Sequence, residues 1–98
     1  MPVPVIAPHT TVVSAGELLS SEFGEEFIIL NLKDGIYYGL DHVGARVWTL
    51  IKQPMTVGAV RDALVAEYEV DVAQCERDLV ALLEDLVTKG LVELRADA

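Results

Sequence analysis

The sequence predicts an α+β domain in which a small antiparallel sheet precedes three short helices. Two observations lead to this fold class. Residues 26–32 and 36–40 are short runs rich in β-branched, aromatic and other apolar residues on either side of a turn triplet, as in paired strands, and apolar residues then recur about every 3.6 residues, as in helices. Asp41, Thr56 and Asp71 each precede one of the helical stretches, and each has a side chain that can cap a helix N-terminus.

Three segments are predicted as strands: 10–13, 26–32 and 36–40. Between the last two, Lys33-Asp34-Gly35 fits a three-residue hairpin loop with glycine in the left-handed position. That loop would place Leu30 opposite Tyr38. Residues 14–25 are harder to assign, and the cap-like spacing of Ser14 and Glu17 favours a helical turn there.

The helices end where the sequence supplies residues that break them. The first is predicted to reach about Lys52, because Pro54 follows. The third is predicted to run from Asp71 to Lys89, because Gly90 suits the position after a helix. A short apolar extension after Gly90 could form one more strand. This order, a small sheet with closely joined helices, is typical of a winged helix-turn-helix-like domain.

Length and charge limit the function classes. The chain has 98 residues and 52% hydrophobic residues, which suits one domain over residues 10–95, preceded by a flexible Pro-rich arm over residues 1–9. Lys and Arg number 7 against 16 Asp and Glu, a net charge of -9. This balance argues against binding to nucleic acid or to an anionic membrane. Neither a signal peptide nor a membrane span is evident, so we expect a cytoplasmic protein.

Residues with catalytic or metal-binding chemistry are sparse. His9 and His42 have no partner at metal-ligand spacing. Cys75, the single cysteine, falls on the same helical stripe as Leu79 and Leu86, which favours a core thiol over a nucleophile. We therefore predict no catalytic residue, no metal and no cofactor, and a protein that is not an enzyme.

The third predicted helix has a wider apolar arc than one buried seam needs. Its core stripe is predicted to contain Val72, Cys75, Leu79, Leu82, Leu83 and Leu86. Val80 and Val87 lie on a neighbouring arc, roughly 80–120 degrees around the helix from Leu79. Either the small sheet covers this second arc, or the arc is the wall of a groove that holds apolar side chains of a partner.

The last strand of the predicted meander points to the same kind of partner. Residues 36–40 contain no charge and no proline, whereas natural edge strands are usually protected by such residues. An unprotected edge can accept a peptide as an additional strand. The alternative is that the terminal segment 91–95 covers this edge.

Four stretches of the sequence carry a family resemblance: residues 32–48, with the run Tyr37-Tyr38-Gly39-Leu40-Asp41, then Thr56-Val57 at the start of the second helix, then 68–71, and finally 82–92. Together they resemble PqqD-like proteins, the precursor-recognition elements of ribosomally synthesised and post-translationally modified peptides. Within that family, the sequence is most similar to the stand-alone leader-binding proteins of lasso-peptide biosynthesis. The resemblance covers about residues 26–94.

The resemblance implies a three-stranded sheet packed on three helices, and a protein without catalytic activity. It implies that the leader segment of a precursor peptide binds as an extra strand between the third strand and the third helix. The partners it implies are a separate leader peptidase of the cysteine-protease type and a cyclase. The peptide-binding residues it implies are Ile36, Tyr37, Tyr38, Gly39, Arg77, Val80, Leu83, Glu84 and Val87.

Three other functions stay open at this point. PQQ-biosynthesis members of the same family act as chaperones of their own precursor. A small acidic adaptor could use the same strand edge to dock a partner enzyme. A DNA-binding regulator is suggested by helix order alone, but the third helix carries Glu76, Asp78, Glu84 and Asp85 against few cations.

Overall fold

Two small antiparallel sheets and three helices form the fold in the computed structural model, which describes residues 6–15, 18–23 and 26–95. The elements in chain order are β1 (Thr11–Ser14), β2 (Leu18–Phe23), β3 (Glu26–Asn31), β4 (Tyr37–Leu40), α1 (His42–Leu50), β5 (Met55–Thr56), α2 (Val57–Tyr68), α3 (Val72–Thr88) and β6 (Val92–Arg95). The predicted α+β class, with a three-stranded antiparallel sheet and three helices, is confirmed.

The strands are distributed differently from the prediction. The meander consists of β2, β3 and β4. Ser14 ends β1 and residues 18–23 form β2, so the helical turn predicted there is wrong, and residues 16, 17, 24 and 25 lie outside the described residues. The first predicted strand, β1, lies at the centre of a second sheet in the order β5-β1-β6. The predicted terminal strand exists as β6. It pairs with β1, so it does not cover the edge at β4.

The hairpin between β3 and β4 has a longer loop than predicted. Ile29 lies opposite Tyr38 and Leu30 opposite Tyr37, a shift of one residue from the predicted register. Asn31 N–H donates to the carbonyl of Ile36 at 2.9 Å, so these two residues form the last pair of the hairpin. The loop between them has four residues, 32–35. Asp34 Oδ1 accepts a hydrogen bond from Ile36 N–H at 2.9 Å, and this bond stabilises the loop. Gly35 takes the predicted left-handed conformation, with φ +73.

The helix ends follow the sequence closely. The side chains of Asp41, Thr56 and Asp71 accept hydrogen bonds from backbone N–H groups of the first turns of α1, α2 and α3, as predicted. Gly90, with φ +76, follows the C-cap of α3. Gln74 is three residues after Asp71, but its side-chain amide donates to Asp78 and not back to the cap, so only half of a capping box forms.

Ion pairs join the helices at two places. Arg46 of α1 forms a two-pronged pair with Glu67 of α2, with N–O distances of 2.9 to 3.1 Å. Hydrogen bonding to Arg46 lowers the pKa of Glu67. Arg61 of α2 contacts Glu76 of α3 at 2.6 Å. The second pair places the first half of α2 beside the flank of α3 that carries Glu76.

One core occupies the space between the helices and the two sheets. Its fully buried members include Val12, Ile29, Val47, Ile51, Val57, Val60, Leu83 and Leu91. Val72, predicted for the core stripe of the third helix, is outside the core: it is 50% exposed and is the first residue of α3. Residues 6–9 of the predicted arm contact the domain. Ile6 is buried, and the carbonyl of Pro8 accepts from Gly58 N–H at 2.8 Å.

Within the described residues, none of the helices has the length and apolar character that crossing a membrane requires.

Candidate peptide-binding site

The outer edge of β4 is open in the described part of the chain, since β4 pairs there with β3 alone. Hydrogen bonding alternates along an antiparallel pair. Because Asn31 bonds to Ile36, the peptide groups of Ile36, Tyr38 and Leu40 face β3. Those of Tyr37 and Gly39 therefore face away from the sheet. These two residues offer two N–H donors and two carbonyl acceptors to an incoming strand.

An apolar pocket lies near the end of β4, among the three helices. Its volume is about 210 Å³. The pocket is lined by Val43, Val47, Leu64, Tyr68, Val70, Gln74, Cys75, Asp78, Leu79 and Leu82. Val43 lines the pocket, follows β4 by only three residues and is 43% exposed, so one side of the pocket lies at the protein surface after the end of β4. A cavity of this size can accept a large apolar side chain or two small ones.

The structure also identifies which flank of α3 faces β4. Lys89, just after α3, lies over the Tyr38 ring with its Nζ 5.2 Å from the ring centroid, and it pairs with Asp85 at 2.9 Å. Asp85 lies on the same side of the helix as Leu82 and Asp78, which line the pocket. We call the space bounded by β4 and this flank of α3 the β4–α3 groove.

The strand residues predicted for peptide binding lie together at this groove. Tyr37 is 70% exposed, and Ile36 and Gly39 are also exposed. Tyr38 is half-buried and packs against the core, where it contacts Lys89. All four therefore lie along the free edge or directly beside it.

The predicted helix residues are placed elsewhere. Val80 and Val87 lie roughly 140–160 degrees around α3 from Leu82, on the flank that carries Glu76 and its contact to α2. Arg77 and Glu84 are on the solvent side of that flank, where Arg77 donates to Gln74 at 2.9 Å. Leu83 is fully buried in the core. The structure thus joins Tyr38 to Asp85 through Lys89, on the side of α3 where Leu82 and Asp78 line the pocket.

Leu82 lines the pocket and is half-buried, whereas the sequence analysis assigned it to the core stripe of the third helix. A signal for Leu82 was available, because it lies at the margin of the α3 stripe, about 60 degrees from Leu79. Periodicity alone does not tell which margin faces a partner. Among the described residues, no group of three or more His, Cys, Asp and Glu side chains is arranged to hold a metal ion.

Cys75 lies in the wall of this pocket and is 8% exposed. Burial, reinforced by the nearby carboxylate of Asp78, raises the pKa of its thiol above the ordinary 9.0. The thiolate is the reactive form, so a raised pKa means less thiolate at any given pH. Any stability that the protonated thiol contributes is present below about pH 9 and is lost as the pH rises through the folded-state pKa.

We expect iodoacetamide to alkylate Cys75 at pH 8.5 at least about tenfold more slowly in the folded protein than in urea. Asp78→Asn removes one charge that disfavours the thiolate, so it should shift the pH profile of alkylation towards lower pH. Mass spectrometry of the alkylated fraction against time gives the rates. Equal rates in the folded and unfolded chains would contradict this assignment of Cys75.

Residues 26–92 match the protein family described as "Coenzyme PQQ synthesis protein D (PqqD)". Among curated relatives, a "PqqA binding protein" of Rhodopseudomonas palustris is 39% identical over 59 residues, which are 59% of this chain and 58% of the relative. A second one, from another strain of the species, is 36% identical over 52 residues, or 53% of this chain and 51% of the relative. This chain thus matches between half and three-fifths of the length of these curated relatives.

Three solved structures share the fold. The first is "TbiB1 in Complex with the TbiA(beta) Leader Peptide", with a TM-score of 0.77 and 38% identity, covering 87% of this chain and 99% of that one. The second, a lasso peptide synthetase B1 with its leader peptide, has a TM-score of 0.74 and 23% identity, covering 84% and 96%. The third is the PqqD part of Methylobacterium extorquens PqqCD, a stand-alone recognition element, with a TM-score of 0.78 and 19% identity, covering 91% and 95%.

The family match covers more than half of the chain, from the start of β3 to the start of β6. The resemblance noted in the sequence is therefore confirmed, and the chain belongs to the PqqD family.

Proposed function

We propose that this protein binds the leader segment of a ribosomally made precursor peptide as an added strand along β4. The observation that carries the proposal is the open edge of β4 beside an apolar pocket. Main-chain hydrogen bonds to Tyr37 and Gly39 would supply affinity, and the pocket would take an apolar side chain. The 38% identity to TbiB1, whose structure holds a leader peptide, supports the same ligand class.

The protein would act by presentation and not by catalysis. Its relatives are described as binding and recognition proteins. The one thiol in the pocket wall is buried and protonated, which does not suit a nucleophile. The chemistry would then belong to separate partners, a leader peptidase of the cysteine-protease type followed by a cyclase. We place the exchange in the cytoplasm, where a precursor is made.

The groove walls define the contacts that we propose. Ile36, Tyr37, Tyr38 and Gly39 form the strand side, and Leu82 with Asp78 forms the helix side. Val80, Val87, Arg77 and Glu84 remain a second candidate wall, because they lie on the other flank of α3. Alanine substitutions on the two flanks of α3 show which flank binds the peptide. Leu82→Ala should weaken peptide binding, and Arg77→Ala, at an exposed position, should leave it unchanged.

A PqqA-type precursor is the second candidate ligand, favoured by the 39% identity to a PqqA binding protein. Fluorescence anisotropy with labelled TbiA(beta) leader and labelled PqqA peptide distinguishes the two. We expect saturable binding of the lasso-type leader at micromolar concentrations and weaker binding of PqqA. Reversed affinities would reassign the pathway, and a failure to bind either peptide would contradict the proposed function.

Salt should affect this binding only weakly. The β4 edge has no charged residue, and the contact proposed there consists of main-chain hydrogen bonds and apolar burial, so ion pairing contributes little to it. Raising NaCl from about 0.05 to about 0.5 M should change Kd by less than about threefold. Duplex DNA as a control should not bind. A steep salt dependence would indicate a contact of a different kind.

A further inference from the structure

Lys89 joins the end of α3 to β4. Its Nζ lies 5.2 Å from the centroid of the Tyr38 ring, within the range of a cation–π contact. The same Nζ pairs with Asp85 Oδ2 at 2.9 Å, and the backbone N–H of Lys89 donates to the Asp85 carbonyl at 3.1 Å. Lys89 is thus attached to α3 at two points, and its ammonium is held in front of a ring that belongs to the sheet.

This bridge contributes little to the stability of the fold. The side chains of Lys89 and Asp85 are 41% and 55% exposed, and exposed ion pairs are weak because water screens both charges. The Tyr38 ring is half-buried and also packs against the core. Pairing with β3 holds β4 in the meander. The position of the bridge is therefore better explained by the groove that it borders than by the fold.

The bridge lies where a strand added to β4 would place a side chain. Tyr37 and Gly39 turn their peptide groups towards the free edge, so Tyr38 lies between the two positions that can bond to such a strand. Residues directly opposite each other in a sheet point to the same face. The ligand side chain opposite Tyr38 would therefore enter the β4–α3 groove beside the Tyr38 ring, and the orientation of that ring determines the room for it.

We propose that Lys89 is a positioning residue for peptide binding, which acts by fixing the orientation of the Tyr38 ring on the sheet side of the groove. The proposal rests on the proposed function, because the groove has a ligand only if a strand adds to β4. A ring that is held in place before the ligand arrives loses less rotamer freedom on binding, so affinity rises without a new contact to the peptide. Lys89 thus acts through Tyr38 and not through its own charge.

Lys89→Met tests this role, because methionine keeps an unbranched apolar stem and removes the ammonium. We expect it to weaken binding of labelled TbiA(beta) leader about fivefold, the size of a cation–π contact at a partly exposed site. Its Tm should stay within about 4 °C of the wild type, as expected for an exposed pair.

Two variants are matched controls for that substitution. Lys89→Arg retains a cation that can stack on the Tyr38 ring and pair with Asp85, so it should bind the leader like the wild type. Lys52→Met removes the charge of an exposed lysine that follows α1 and lies outside the groove, so it should also bind like the wild type. A loss at Lys52 as large as at Lys89 would assign the effect to net charge and overturn the positioning role.

A double-mutant cycle with Tyr38 shows whether Lys89 acts through the ring. Tyr38→Phe keeps a ring and Tyr38→Leu removes it. Lys89→Met should therefore weaken binding about fivefold in the phenylalanine background and cause no further loss in the leucine background. Equal losses in both backgrounds would overturn the positioning role and make Lys89 a direct contact of the peptide. If Tyr38→Leu does not fold, salt decides, because the loss in Lys89→Met should persist in about 0.5 M NaCl, whereas a direct charge contact would be screened.

Proton NMR detects the bridge without a ligand. The ε-methylene protons of Lys89 should be shifted upfield by the Tyr38 ring in the wild type and in Tyr38→Phe, and their ordinary shift in the wild type would overturn the bridge. If the wild-type protein binds the leader and Lys89→Met binds it equally well, the positioning role fails and the strand-binding function stands. If the wild-type protein binds no leader, the proposed function itself fails, and the role of Lys89 with it.

Discussion

Gly39→Pro should reduce leader-peptide affinity by tenfold or more while the protein remains folded. The N–H of Gly39 faces away from β3, so its loss removes no hydrogen bond of the sheet. It does remove one of the two donors that the free edge offers to a ligand, worth about 1 kcal/mol, and the proline ring obstructs the approach of the peptide backbone. Isothermal titration with the leader peptide measures the loss, and circular dichroism reports on folding.

Gly39→Ala is the matched control for that experiment. It retains the N–H donor, and its Cβ meets no atom within 4 Å, so it should fold and bind within about threefold of the wild type. Comparing the proline and alanine variants measures the effect of the backbone N–H on affinity separately from the effect of a side chain at the same position. Equal affinity in the proline and alanine variants would show that the peptide does not add to β4, whatever else it contacts.

Leu83→Ala should lower the free energy of unfolding by about 2–5 kcal/mol and change peptide affinity little. Leu83 has 0% exposure and lies in the core, so its truncation leaves a cavity that the surrounding side chains fill incompletely. For a domain of this length, each kcal/mol lowers Tm by about 4–8 °C. Thermal and urea unfolding measure the loss. Binding should be compared at a temperature where the variant is still folded.

Leu82→Ala, one residue earlier, should have the opposite profile. Leu82 is half-buried and lines the pocket, so truncation should cost less stability than at Leu83 and weaken peptide binding more. The same substitution at these two adjacent leucines thus distinguishes a residue of the core from a residue of the groove. A larger affinity loss at Leu83 than at Leu82 would contradict the placement of the β4–α3 groove.

The local part of the fold could be predicted from sequence. Asp41, Thr56 and Asp71 cap the helices as expected, since a cap depends on residues within one turn of it. Gly90 ends α3 for the same reason. The uncharged edge of β4 was also evident, because the absence of charge and proline over residues 36–40 is a property of the segment itself.

Strand pairing could not be predicted in the same way. The hairpin register depends on a four-residue loop held by side-chain bonds of Asn31 and Asp34, and the alternating pattern accommodates that loop as well as a shorter one. The assignment of β1 to a second sheet depends on contacts with β5 and β6, which are more than forty residues away in the sequence. Such pairings depend on long-range packing and not on the segment itself.

The sequence alone thus determined the fold class, the ends of the helices and the presence of an unprotected strand, because each depends on the period and chemistry of neighbouring residues. Only the tertiary structure decided which flank of α3 faces that strand. Both margins of the core stripe carry apolar residues, so the pattern does not tell whether the margin with Val80 or the margin with Leu82 faces the strand. The contact of Lys89 with Tyr38 distinguishes the two margins, since Lys89 follows the side of α3 that carries Leu82 and joins it to β4.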